Sequence, residues 1–221
     1  MHAQTQMITD SLTVRDLGLQ DYLPLWQQMQ TFTQTRTATT PDQLWLVEHP
    51  PVFTLGLNGS HDHLLNPGDI PVVQVDRGGQ VTYHGPGQLL LYPLIDLARR
   101  QLGVKQFVAL LEQTIINFLQ QQGITATRRA QAPGVYVADA KIAAVGLRVK
   151  RGCSYHGLAF NVAMDLAPFR RINPCGFQGL HVTQLHSLLP DVDPPSLPQI
   201  KTRLTHLLRD QLGYNAHSLI P

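Results

Sequence analysis

Residues Gly134–Val162 read GVYVADAKIAAVGLRVKRGCSYHGLAFNV, and the punctuation of that stretch decides the fold. Three runs of strand-forming character, GVYVAD, KIAAVGLRVK and SYHGLAFNV, are separated by very short breaks. Asp139-Ala140 fits a tight hairpin between the first pair, and Lys150 to Gly152 fits another between the second. Tight hairpins join antiparallel neighbours, whereas parallel neighbours need a long crossover. The expected class is therefore α+β: a mixed, mainly antiparallel sheet flanked by helices, not an alternating doubly wound sheet.

Working outward, LWLVEH (Leu44–His49) and VFTLG (Val52–Gly56) are strand-like and separated by Pro50-Pro51. PVVQV, QVTYH and the run from Leu89 to Leu97 come next. The helices lie outside the hairpin series. From Val104 to Gln122, apolar residues at Val104, Phe107, Val108, Leu111, Ile115, Phe118 and Leu119 make a 3.6-residue stripe, with Gly123 as a stop. Ser196-Leu-Pro-Gln199 reads as a capping box, followed by Ile200, Leu204, Leu207 and Leu208, with Gly213 closing. A weaker helix spans about Asp21 to Arg36 through Tyr22, Leu25, Trp26 and Met29. DVDPPSLP (Asp191–Pro198) reads as a linker to the last helix, so residues 1–221 are expected to form one domain without internal repeats.

A chain of 221 residues with 43% hydrophobic and 14% charged residues can bury a substantial core. No apolar run reaches membrane-spanning length, and MHAQTQMITD lacks the basic start and apolar core of a secretory signal. A cytoplasmic protein that contacts neither membrane nor nucleic acid is expected, the net charge of +2 being too small to argue for the latter. The basic pairs Arg128-Arg129, Lys150-Arg151 and Arg170-Arg171 either steer an acidic partner or sit in solvated turns. Cys153 and Cys175 form no metal-binding CxxC pair and are expected to be reduced.

Cys175 sits in INPCGFQG between a proline and a glycine, on a loop where a thiol can meet substrate. Cys153 opens a strand and could equally be packed inside, where cysteine is usually inert. A free thiol near pKa ~8.5 is only a few per cent thiolate at neutral pH, so a nearby cation or proton acceptor is needed. Lys141, His49, His84, His156 and His181 are the candidates, against the plain alternatives of a solvated lysine and satisfied core histidines.

RGGQVTYHGPGQ (Arg77–Gln88) is neither GxxxxGK[ST] nor a GxGxxG leading into a helix, so a phosphate cradle lacks its ingredients. The run after Gly87 is strand-like. Gly146 in AVGLR and Gly157 in YHGLAF are isolated glycines inside strand patterns, which mark a bulge or close approach by a ligand or another backbone. Three such sites in neighbouring strands favour a binding groove.

LWLVEHPPVFTLG, DRGGQVTYHGPGQLLLYPLIDL, APGVYV, KIAAVGLRVKRGCSYHGLAFNV and PFRRINPCG occur in that order. Together they closely resemble the lipoyl(octanoyl) transferase family, the octanoyl-(acyl carrier protein):protein N-octanoyltransferases. The resemblance covers about residues 44–178; the segments on either side are less diagnostic. It implies a fold related to the catalytic domains of lipoate ligases and biotin protein ligases. The implied reaction, part of lipoate biosynthesis and protein lipoylation, moves octanoyl from octanoyl-acyl carrier protein to a specific lysine. Lipoyl domains of 2-oxoacid dehydrogenase complexes and glycine cleavage H protein are the implied acceptors.

Carried over by position, Cys175 is the implied acyl-thioester nucleophile and Lys141 the cation that favours its thiolate. The implied substrate-lining residues are Arg77, Gly78, Gly79, Gln80, Val81, Thr82, Tyr83 and His84, then Ala144, Val145 and Gly146, then Gly157, Leu158 and Ala159. The glycines Gly78, Gly79, Gly146 and Gly157 are expected to leave room for the acyl chain, and backbone N–H groups around Cys175-Gly176 to stabilise the oxyanion. The donor carries phosphopantetheine; no cofactor, ATP or metal is expected, and a monomer is. The competing readings are an ATP-dependent lipoate or biotin-type ligase, a Cys-dependent thioesterase using His84 or His156, and a carrier-binding module without chemistry.

Overall fold

The computed structural model describes residues 11–130, 132–190 and 193–214. The N-terminal ten residues read for a secretory signal, and Asp191-Val192 of the linker, lie outside them. In chain order the elements are β1 (Leu12–Leu19), α1 (Tyr22–Thr35), β2 (Asp42–Glu48), β3 (Val52–Leu55), β4 (Val72–Gln74), β5 (Val81–His84) and β6 (Gln88–Leu94). The second half holds α2 (Val104–Gln121), β7 (Thr127–Arg128), β8 (Gly134–Val137), β9 (Ala140–Lys150), β10 (Cys153–Asn161) and α3 (Leu197–Gln211).

A seven-stranded sheet runs β1-β2-β6-β10-β9-β8-β7, and a separate three-stranded sheet runs β4-β3-β5. All neighbours are antiparallel except β1 with β2 and β3 with β4. The split into two sheets is not visible in the strand pattern. Both expected hairpins form, the first with its turn at Ala138-Asp139, one residue before the expected position. In the β9–β10 turn Arg151 (φ 54) and Gly152 (φ 78) are both left-handed, the geometry that a two-residue hairpin matched to strand twist requires.

The central strands are buried on both faces, so their period of two sorts apolar side chains between two cores. On one side Leu44, Leu46, Leu89, Leu91, Leu158 and Phe160 meet the stripe of α2 and the Ile200, Leu204 and Leu208 face of α3. On the other, Trp45, Val47, Leu90, Tyr92, Leu94 and Ala159 meet Leu25 and Met29 of α1. Each leucine so placed contributes about 1.5–3 kcal/mol. At the start of α3, Gln199 accepts the Ser196 N–H at 2.8 Å, as the capping box requires.

Asp42, fully buried at the start of β2, ties the chain together. It accepts hydrogen bonds from Arg36 after α1 (2.5 Å), the Asp96 N–H after β6 (2.8 Å) and the Tyr214 hydroxyl after α3 (2.6 Å), and pairs with Arg99 (2.6 Å). Burial alone would raise its pKa, but the bonds from Tyr214, Arg36 and the others outweigh it and hold the carboxyl below the ordinary range. A depressed folded pKa contributes stability that is present above the unfolded value and is lost as pH falls through the folded one. Asp42→Ala, which leaves buried guanidinium groups without their counter-charge, is expected to cost about 3–5 kcal/mol in urea unfolding at pH 7. The deficit should shrink on acidification; an unchanged urea midpoint at pH 7 would refute this role.

Candidate active site

Cys175 lies in a single turn of 3₁₀ helix, Pro174–Gly176, with φ 56 and ψ 18, a left-handed conformation uncommon for any residue but glycine. The turn is anchored where Asn173 N–H donates to the His63 carbonyl at 2.8 Å. Gly176, also left-handed at φ 81, donates its N–H to the Asn173 carbonyl at 2.9 Å. That bond commits the Gly176 amide to the turn, so of the N–H groups expected to stabilise the oxyanion this one is already engaged.

Lys141 enters from β9. Its backbone is clamped by the neighbouring segment, donating to the His181 carbonyl (2.8 Å) and accepting from Thr183 N–H (2.9 Å). The side chain is buried, and Nζ donates to Cys175 Sγ at 3.0 Å and to the Pro133 carbonyl at 3.1 Å. Burial pulls the ammonium pKa down, but the Cys175 sulfur, with a further contribution from Tyr136, carries it above the ordinary lysine value.

Cys175 opens onto a cavity of about 480 Å³, its open mouth included. Of the residues assigned to the substrate from sequence, all but Tyr83 line it: Arg77 to Thr82 and His84 from the β5 region, Ala144 to Gly146 from β9, and Gly157 to Ala159 from β10. Tyr83 points to the opposite face of β5, where its ring packs on Phe53 and Phe169. Strand alternation accounts for that: it places the Tyr83 ring on the face of β5 opposite the side chains of Thr82 and His84. Tyr22, Leu90, Tyr92 and His156 complete the lining. Tyr22 carried only a helix-periodicity signal, and nothing in the sequence singled out Tyr92.

The histidines have fixed roles. His84 Nδ1 lies 2.7 Å from Gln88 Oε1, while Gln88 Nε2 donates to the Tyr83 carbonyl and to Asn161 Oδ1, whose Nδ2 donates to the Thr183 carbonyl. Carbonyls only accept, so the chain has one direction, and His84 carries its proton on Nδ1. Its Nε2 is left to accept from Thr54 Oγ1 at 3.3 Å, and that oxygen in turn accepts from Arg77 Nε at 3.2 Å. Burial, then the neighbouring His49, push the His84 pKa well down. His49 bridges the Gln20 carbonyl and the Tyr92 hydroxyl, and burial pushes it down to about 4. His156 holds Asp76 (2.9 Å) with Nε2 and meets the Tyr22 hydroxyl (3.4 Å) with Nδ1. His181 contributes its carbonyl to Lys141. Lys141 is the candidate partner brought to the thiol.

Cys153 is buried, its sulfur directed at the Arg151 carbonyl at 3.6 Å, and burial raises its pKa. Among the described residues no group of three or more His, Cys, Asp or Glu side chains could hold a metal ion. No helix among them is long and apolar enough to cross a membrane.

The sequence profile of the lipoyl protein ligase A/B catalytic domain matches residues 21–209. An octanoyltransferase of Cellvibrio japonicus is 59% identical over 203 residues, covering 92% of this chain and 94% of that protein. The chain belongs to the octanoyltransferase family. The fold is shared more widely. A bi-partite lipoate protein ligase from Thermoplasma acidophilum superposes with a TM-score of 0.68 at 14% identity, over 92% of this chain and 85% of that one. A biotin protein ligase from Aquifex aeolicus gives 0.54 at 9%, over 92% and 68%.

Within this octanoyltransferase fold, protein fills the space beside the two strand glycines. A Cβ at Gly157 would lie 2.1 Å from the Leu91 carbonyl oxygen on β6, and one at Gly146 would lie 3.2 Å from Arg77 Cδ. These glycines therefore admit neighbouring chain, which then walls the cavity; the expectation that they make room for the ligand directly is corrected. Gly157→Ala meets backbone at 2.1 Å and is expected to destabilise by about 1–3 kcal/mol, whereas Gly146→Ala meets Arg77 Cδ and the Gly78 carbonyl oxygen only at 3.2 Å and should cost less. Thermal melts of the two variants check the order, and equal losses would contradict it.

Proposed function

We propose that this chain transfers an octanoyl group from the phosphopantetheine thioester of acyl carrier protein to a lysine of a lipoyl domain, through a thioester on Cys175. The observation that carries this reading is the Lys141 Nζ to Cys175 Sγ contact of 3.0 Å beside a cavity lined largely by apolar side chains and glycines. Burying an acyl chain there gains about 0.8 kcal/mol per methylene, enough to hold and measure a medium-length chain.

In the first half-reaction the Cys175 thiolate attacks the carrier thioester. A carbon–sulfur bond forms at Cys175, the bond to phosphopantetheine breaks, and the departing sulfur takes a proton from the Lys141 ammonium. Exchange of one thioester for another needs no ATP. That proton transfer leaves Lys141 neutral, and acylation removes the Cys175 contribution that raised its pKa while the burial that lowers it remains. In the second half-reaction the acceptor amine attacks the acyl carbon and gives its proton to Lys141. The amide carbon–nitrogen bond forms and Cys175 leaves as thiolate, restoring the starting state.

The competing thioesterase reading needs a histidine base beside Cys175. The ring nitrogens of His84 and His156 are engaged elsewhere, which argues against it. Lipoyl domains as acceptors, acyl carrier protein as donor, the absence of an ATP or metal requirement, a monomeric state and a cytoplasmic location all belong to this reading. Arg129 and Arg171 approach the exposed Asp139 (2.7 Å) and Asp69 (3.6 Å), so any steering of acidic partners by these basic pairs is partly neutralised.

Mixing the protein with octanoyl carrier protein without ATP and recording intact mass should show one octanoyl adduct, absent from Cys175→Ala and discharged by a lipoyl domain. Transfer without any adduct, or an absolute need for ATP and free acid, would overturn the scheme. Lys141→Arg supplies a cation that can hold the departing sulfur as its thiolate without giving up a proton but cannot act as a base, so it should load but discharge about 10²–10⁴-fold more slowly. Rapid-quench measurement of both half-reactions separates the steps, and equal slowing of both would refute the base role.

A further inference from the structure

Glu112 lies on the interior face of α2 and is buried, an expensive place for a carboxylate. Its Oε1 accepts the Gly134 N–H at 2.7 Å. The carbonyl of that same peptide unit, Pro133 C=O, accepts from Lys141 Nζ at 3.1 Å, and Nζ reaches Cys175 Sγ at 3.0 Å. No peptide bond among the described residues is cis, so the N–H and C=O of this unit point in opposite directions. The result is one line of hydrogen bonds running from helix α2, through a single peptide plane, to the lysine and the thiol.

The plane is constrained from its other side as well. Gly134 has φ 134, and a Cβ there would lie 2.4 Å from the Ala143 carbonyl oxygen and 3.2 Å from Lys141 Cε. The chain thus accepts an unusual backbone conformation at the point where the peptide must face Lys141. Serial hydrogen bonds also polarise one another: a carboxylate on the N–H strengthens the carbonyl as an acceptor for the ammonium.

We infer that Glu112 is a positioning residue for the reaction: it fixes the Pro133–Gly134 peptide so that its carbonyl holds Lys141 Nζ against Cys175. This rests on the Cys175–Lys141 reading of the site. The essential property is reach to the Gly134 N–H. Glu112→Asp keeps the charge but shortens the arm by a methylene, and Glu112→Gln keeps an acceptor at full length.

The test is the rate of Cys175 alkylation by iodoacetamide at pH 7, which needs neither acyl donor nor acceptor, with Cys153→Ala in every variant to isolate the signal. Lys141→Ala should slow alkylation. Glu112→Asp should slow it about fivefold to tenfold, the loss of one hydrogen bond, and Glu112→Gln should restore it to within about twofold of the parent. In the Lys141→Ala background Glu112→Asp should have no further effect. Full-rate alkylation of Glu112→Asp, failure of Glu112→Gln to restore the rate, or equal slowing of Glu112→Asp in both backgrounds would each overturn the inference while leaving the Cys175–Lys141 reading intact. A Lys141→Ala rate equal to the parent would overturn that reading and the inference with it.

Discussion

An ammonium can be taken out of water only where acceptors wait for it, and the arrangement around Lys141 answers that constraint. Nζ finds a thiol sulfur and one carbonyl; the lysine's own N–H and C=O are held by the 181–183 segment. Those contacts fix where β9 begins, where the Pro174–Gly176 turn must stand and which way the Pro133–Gly134 peptide faces. Two left-handed residues in succession, Cys175 and Gly176, bring the sulfur within reach. Such conformations cost on the order of 1–3 kcal/mol at a residue other than glycine and persist only where the surroundings over-determine them.

The cavity wall solves the opposite problem, keeping polar groups quiet beside an apolar space. His84, Gln88 and Asn161 form a chain whose direction is set by backbone carbonyls that can only accept. His156 stands at φ 57 within β10, which brings its ring to stack on Tyr155 at 5.1 Å and to bond Asp76. Asp76 also receives Trp26 and Gln30 of α1, so the helix and the sheet are joined through the ring that lines the cavity. Burial disfavours charge on His49, His84 and His156, leaving Arg77 as the cation of this wall. Its guanidinium bonds Thr54 and the Gly78 carbonyl, neutral acceptors that orient it without cancelling its charge.

Much of this was legible in the chain. The α2 stripe, the α3 capping box and the two hairpins rest on local periodicity and turn chemistry, which survive into tertiary structure when the elements are long or tightly punctuated. β1 escaped because it is an edge strand carrying Arg15 and Asp16 with Leu12 its one buried position, so no alternation marks it. β7 is only two residues long. At the site, motif resemblance singled out Cys175 and Lys141, which lie 3.0 Å apart, but a block such as Arg77–His84 cannot say which side chains face inward, and Tyr83 faces away. Glu112 was invisible for a different reason. On α2 it reads as an ordinary polar position, and its burial comes from the packing of Gly134 over the helix, a contact between residues 22 apart in sequence.

Fold and chemistry separate cleanly here. Proteins of 9–14% identity share this architecture, including a biotin protein ligase, so the sheet and its helices cannot specify the reaction. What the sheet supplies is a rigid wall from β9 and β10 and a fixed strand end from which Lys141 emerges. The Cys175 thiol, by contrast, sits on a turn outside the sheet, held by Asn173 to the carbonyl of His63. A pair split in this way, with Lys141 on the scaffold and Cys175 on a strained loop, depends on the few backbone bonds that bring the loop to the strand. Within this chain the Asn173 N–H and the Lys141 backbone bonds are those connections, and they determine whether a common fold presents a thiol to the cavity at all.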